Sequence, residues 1–397
     1  MKNRLRSLCA IGLLLLLGAG CDAPESGGGQ SDLANNETSD QLALAQKAGA
    51  PLFDGMSDYH MPVTTQDANA QRYFNQGMVL SFAFNHAESI RSFRAAQTLD
   101  PSCAMCFWGE ALATGPNINV TSKGKVIMSP AERKAAFAAL SQAVALKEAV
   151  SPREQAYIDA LAQRYNGDPE TPREPLDLAW AAAMGEMTRQ YPEDLTAAAI
   201  YAEALMNTMP WNYWSDDGIA KPETSAVIDS LDRVLLKAPD HPLALHLYIH
   251  ALEASNDPGR AEGAADRLAD LVPGAGHLVH MPSHIYYRIG RYNDAAEANI
   301  RAADVDEAYI ASCNAQGFYP ALYYPHNIHF LWAASTMQGQ SALSIDSARR
   351  VVANVRIEQV KAFPTVEFFR TVPLLSLVRF GKWDEILAEP HPHEGFM

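Results

Sequence analysis

The sequence predicts an all-α fold built as an array of helical hairpins. Three observations carry that expectation. Apolar residues recur with a helical rather than an alternating period across most of the 397-residue chain. Pro239 and Pro273 end successive helical pairs at an interval of 34 residues. Seven of the 12 histidines fall in short groups spaced three or four apart, which sets each group on one helix face. Those groups are His246/His250, His277/His280/His284 and His326/His329.

The N-terminus reads differently. Basic MKNRLR is followed by the apolar run LCAIGLLLLLGAG and then Cys21, so residues 1–20 are expected to be a secretory signal peptide. The run is too short for a membrane-spanning helix, and no later stretch is apolar enough to span. A cysteine directly after small residues resembles the bacterial lipobox, although Gly18 stands where that motif usually has Leu. The resemblance implies lipidation of Cys21 and an anchor on the periplasmic side of a bacterial cell envelope. Ordinary signal cleavage, with secretion to the periplasm, is the alternative. Residues 21–66 begin CDAPESGGGQSD and are expected to be the anchor cysteine plus a flexible linker.

Helical patterning starts near Asp67. Residues 70–101 carry Tyr73, Gly77, Leu80, Phe93, Ala96 and Pro101, with small Ser89 opposite Gly77 so that two helices approach closely. The unit after Pro273 carries Gly290, Tyr292, Ala295 and Ala302 at matching offsets. This punctuation resembles the tetratricopeptide repeat (TPR), over most of residues 67–385. The motifs FNHAESIRSF, DPSCAMCFWGEA and HMPSHIYYRIGRY resemble an exported bacterial lipoprotein subgroup of that family. Residues 304–325 read as a long connection containing Cys313. Residues 386–397 are expected to form an irregular tail.

The resemblance implies a solenoid whose first helix in each unit lines a concave groove, and it says little about chemistry. In that register His246, His250, His277, His280 and His284 face the groove, with Glu203, Glu253 and Tyr287 beside them. His326 and His329 begin the next helical element. Imidazoles converging at this density suit a transition metal ion, copper or zinc. The alternative is that they pack, or recognise a protein or peptide partner in the groove. No HExxH or other enzyme signature accompanies them, so no reaction is named.

Cys103 and Cys106 form a C-x2-C pair, read as a disulfide or as metal ligands with Cys313 as a third. Phe107 excludes c-type haem attachment. Asn117 and Asn119 read as turn residues, and His86 is left open. The formal net charge of -15, with no basic run beyond the leader, excludes a nucleic-acid partner.

Overall fold

A computed structural model describes residues 29–119, 128–313, 318–362 and 364–389. The chain divides into two compact units, Met1–Ala43 and Leu44–Met397. Residues 1–28, with Cys21, and the tail from 390 lie outside the described residues. Within the expected linker the chain is helical over Gly29–Ala48 (α1). From Ala50 the chain is tied to other segments of the second unit. The Ala50 carbonyl accepts from the Tyr73 hydroxyl at 2.6 Å, and the Thr64 amide and hydroxyl both donate to the Glu154 carboxylate at 2.6 Å. The linker expectation therefore fails from Ala50 to Gln66: its turn-forming composition disguises a segment held by buried polar partners.

The second unit is a succession of antiparallel helices, each packing chiefly on the next. They are α2 (Ala68–Phe82), α3 (His86–Leu99), α4 (Ala104–Thr114), α5 (Pro130–Leu146), α6 (Pro152–Leu161), α7 (Arg173–Gln190), α8 (Leu195–Thr208), α9 (Pro222–Lys237), α10 (Pro242–Leu252) and α11 (Glu262–Leu271). Then come α12 (Gly276–His280), α13 (Pro282–Ile289), α14 (Tyr292–Cys313), α15 (Tyr324–Met337), α16 (Ser341–Ala353), α17 (Ile357–Ala362), α18 (Val372–Arg379) and α19 (Trp383–Ala388). Among the described residues there is no strand, only an isolated bridge between Trp214 and Ala220. None of the described helices is long and apolar enough to cross a membrane.

Local chemistry sets the boundaries. Asp67 caps α2 by accepting from the amides of Asn69 and Ala70. Ser129 with Glu132, and Ser151 with Glu154, form capping boxes ahead of α5 and α6, each with proline in the first turn. Gly290 ends α13 in the left-handed conformation at φ 86°. The close crossing expected at Gly77 is present: a Cβ there would stand 2.7 Å from the Phe93 ring, and the Ser89 hydroxyl bonds the Gly77 carbonyl at 2.6 Å. The expected long connection after residue 304 is a correction. α14 runs to Cys313, and a π-helical turn over Tyr319–Tyr323 leads straight into α15. Its inward positions keep helical spacing through Ala302, Asp306 and Tyr309, which sequence reading passed over.

The array turns back on itself. α2 packs against α10. The Tyr309 hydroxyl on α14 donates to Glu88 on α3 at 3.2 Å, and Asn119 donates to the Tyr323 hydroxyl at 3.1 Å. The inner faces of α10 and α12 are thereby covered by the first hairpin.

Candidate metal centre

The covering turn carries an unusual residue. Phe84 follows α2 at φ 56°, a left-handed conformation rare for a non-glycine. It is held there by packing: its ring lies 4.5 Å from His246, 5.5 Å from His277 and 6.3 Å from His250, stacked on the last two. Beside it the Phe82 carbonyl faces the same cluster.

Helical spacing delivers the imidazoles. His246 and His250 lie one turn apart on α10. His277 and His280 lie on α12, and His284 on α13. Pro282 opens α13, but Met281 keeps helical angles, so the three- and four-residue spacings survive the join. His326 enters from the first turn of α15. Two triads result. Ligand atoms of His246, His250 and His277 lie within 4.8 Å of one another, as do those of His280, His284 and His326.

The hydrogen bonds fix which nitrogen each ring offers. His246 Nδ1 donates to the Phe82 carbonyl at 2.6 Å. Glu253 accepts from both His250 Nδ1, at 2.7 Å, and His284 Nδ1, at 2.6 Å. The Asn299 amide donates to the Ala295 carbonyl at 2.7 Å, so its Oδ1 faces His280 Nδ1 and accepts from it at 2.6 Å. Each of these four rings therefore commits its Nδ1 to an oxygen acceptor and turns its Nε2 toward the cluster. Carbonyl and carboxylate partners on the far nitrogen are what metal-binding histidines require.

Electrostatics agree. Burial first, then neighbouring imidazoles, push His246, His277, His280 and His326 well below the usual histidine range, into the neutral form that ligates. Burial pushes the Glu253 carboxyl up, but the bonds from His284 and His250 outweigh it and hold Glu253 ionised. The Nε2 atoms of His246 and His250 and both nitrogens of His277 are buried without a partner. A tetrahedral ion with bonds of about 2.0–2.1 Å sets its ligand atoms about 3.4 Å apart, inside the 4.8 Å within which the ligand atoms of each triad lie.

No protein-family model matches the chain, and no curated protein sequence matches it. Among solved structures, the crystal structure of yeast Tom70 aligns over 81% of this chain and 84% of that chain, at 11% identity and a TM-score of 0.29. A score that low carries no argument, so the TPR-like hairpin array rests on the packing described above.

Six of the seven expected histidines come together. His329 does not: its ring packs instead against Trp332, Phe368 and Phe369. The histidines face inward as the repeat register requires, but the turn after α2 covers the first triad and Phe330 the second, and all but His326 are buried, so they line no open groove. Glu253 is part of the site. Tyr287 lies at its rim, 6.4 Å from Phe330, whose ring covers the second triad. Glu203 joins neither triad, and burial pushes its carboxyl up to about 7.

Cys103 and Cys106 form a disulfide, and Cys313 sits apart beside Arg91, so no cysteine ligand set assembles. Asn117 keeps its turn role by accepting from the Asn119 amide, and its Nδ2 also contacts His86 Nε2 at 3.3 Å. Phe84, Asn299 and Phe330 are site residues that sequence reading missed. No spacing rule marks a lone phenylalanine or an asparagine on the partner helix.

Proposed function

We propose that this protein is an envelope-anchored helical-hairpin array that binds a transition metal, copper or zinc, through its interior histidines. The observation that carries the reading is the first triad. Four imidazole nitrogens of His246, His250 and His277 are buried with no hydrogen-bond partner. A buried nitrogen without a partner costs roughly 1–3 kcal/mol, so four together call for a ligand. Nitrogen-only ligands suit both metals. The basic and apolar leader ending at Cys21 supports export and anchoring. Recovery of a lipid-modified Cys21 peptide by mass spectrometry tests the anchor, and an unmodified mature N-terminus elsewhere sinks it.

Elemental analysis of protein purified without a histidine tag tests the metal. Bound copper or zinc is expected to fall by one equivalent per chain in His246→Ala/His277→Ala. Wild-type protein that is metal-free, and that refuses both ions at micromolar concentration, overturns the reading.

A protein-binding scaffold is the second reading. It is supported by apolar side chains left exposed near the end of the array: Leu375 is 52% exposed, Val378 51% and Trp383 61%. Loss of a defined partner in Leu375→Glu/Val378→Glu supports it. Binding unchanged by that substitution counts against it.

A further inference from the structure

The second triad poses a separate chemical problem. His280 Nε2 and His284 Nε2 face each other at 2.9 Å. Both rings have already committed their Nδ1–H, one to Asn299 and the other to Glu253. Two lone pairs pointed at each other across that distance repel, in an interior that screens charge poorly. Either a proton sits between them or a cation does. His326 decides in favour of the cation. Its ring centroid lies 4.8 Å from that of His280 and 5.7 Å from that of His284, and its ligand nitrogen converges on the same point. A shared proton has no use for a third imidazole, whereas a metal ion does.

The two triads are built alike. Each is backed by a phenylalanine: Phe84 on the first, and Phe330 on the second, 4.4 Å from His284 and 4.9 Å from His280 and His326. Each has histidines whose Nδ1–H is held by an oxygen acceptor. One carboxylate serves both, with Glu253 Oε1 on His250 of the first triad and Oε2 on His284 of the second. The rings of His250 and His284 stand only 5.4 Å apart.

We infer that the protein holds two metal ions, the second bound by His280, His284 and His326, with Glu253 linking the ions through one histidine of each. Each ion has three imidazole ligands, which leaves its fourth tetrahedral position to a non-protein ligand, as in catalytic rather than structural sites. The inference rests on the metal reading above, but it fails separately from it.

Titration of the metal-free, untagged full chain with cobalt(II) tests it, followed through the ligand-field absorption. Wild type is expected to saturate at two equivalents, and His280→Ala/His326→Ala at one. His326→Gln, a milder change at the half-exposed member, is also expected to saturate at one and serves if the double variant does not fold. Saturation of wild type at one equivalent overturns the second site, whichever variant removes that ion, and returns the 2.9 Å contact to a shared proton. No binding at all overturns the metal reading itself.

Discussion

Glu253 and His284 are joined at 2.6 Å across 31 residues of chain, and the other oxygen of the same carboxylate holds His250. One acidic side chain at the end of α10 thus fixes the ring tautomer on two helices. Glutamine is nearly the same shape but offers one acceptor oxygen and one N–H2 group. Glu253→Gln leaves one imidazole facing a donor, which must flip its tautomer and turn a protonated Nε2 toward the ion. Metal affinity is expected to fall by about 10–100-fold, the usual effect of losing such a partner. Competition against a chromophoric chelator measures it, and unchanged affinity removes Glu253 from the site.

Phe93 on α3 lies against two glycines, Gly77 on α2 and Gly109 on α4. A methyl group at Gly109 would overlap its ring. Gly109→Ala gains helix propensity worth about 1 kcal/mol but overpacks a closed crossing at a cost of roughly 1–3 kcal/mol. Net destabilisation is expected in urea unfolding. A variant as stable as wild type would show that α3 can retreat.

Asp306 is 1% exposed and accepts from Tyr319 at 2.9 Å and from Asn327 at 2.7 Å. Burial outweighs those bonds and pushes its carboxyl up to about 7. Between about pH 4 and pH 7 the folded state therefore keeps a proton that the unfolded state has released. Stability falls as pH rises through that window and levels off above it, by a ceiling of about 4 kcal/mol. Glu203 slopes the same way. In metal-free protein the loss of Tm from pH 5 to pH 8 is expected to be smaller in Asp306→Asn than in wild type. An equal loss would place the proton elsewhere.

The Cys103–Cys106 disulfide closes a very short loop, so the chain-entropy account gives it only about 2 kcal/mol. Both cysteines are fully buried. Cys103→Ser/Cys106→Ser is expected to fold and keep its metal, with urea unfolding shifted by about that amount. In the native protein the buried disulfide is expected to resist reduction by dithiothreitol. Rapid alkylation after mild reduction would show that α4 opens at its start.

Much of this was legible in the sequence for physical reasons. Pro101, Pro239, Pro273 and Gly290 act through local backbone constraint, so they mark helix ends wherever they occur. His246, His250, His277, His280 and His284 share faces because helical geometry is local as well. What was not legible is non-local. Nothing near His246 announces that the Phe82 carbonyl will meet it, or that a turn through Phe84 will bury it. His329 illustrates the limit within one helix: its spacing from His326 suits a shared face, yet the neighbouring Phe368 and Phe369 decide where it packs. Residues 50–66 look like a linker because Pro51, Asp54, Gly55, Ser57, Asp58 and Pro62 interrupt any helical period. Thr64 and Tyr73 turn that segment into structure only because Glu154 and the Ala50 carbonyl await them.

The return of the first hairpin onto α10 and α14 also governs how the molecule must assemble. An open hairpin array can fold from any point and propagate between neighbours. Here Phe82 meets His246 across 164 residues, and Glu88 meets Tyr309 across 221. Those closures join distant parts of the sequence, which slows folding and couples the ends into one cooperative event. During synthesis no three-histidine set is complete before residue 277, nor the second before residue 326. On the proposed metal reading, ion capture would thus be a late step, and the bound metal would act as the latch that records a finished fold.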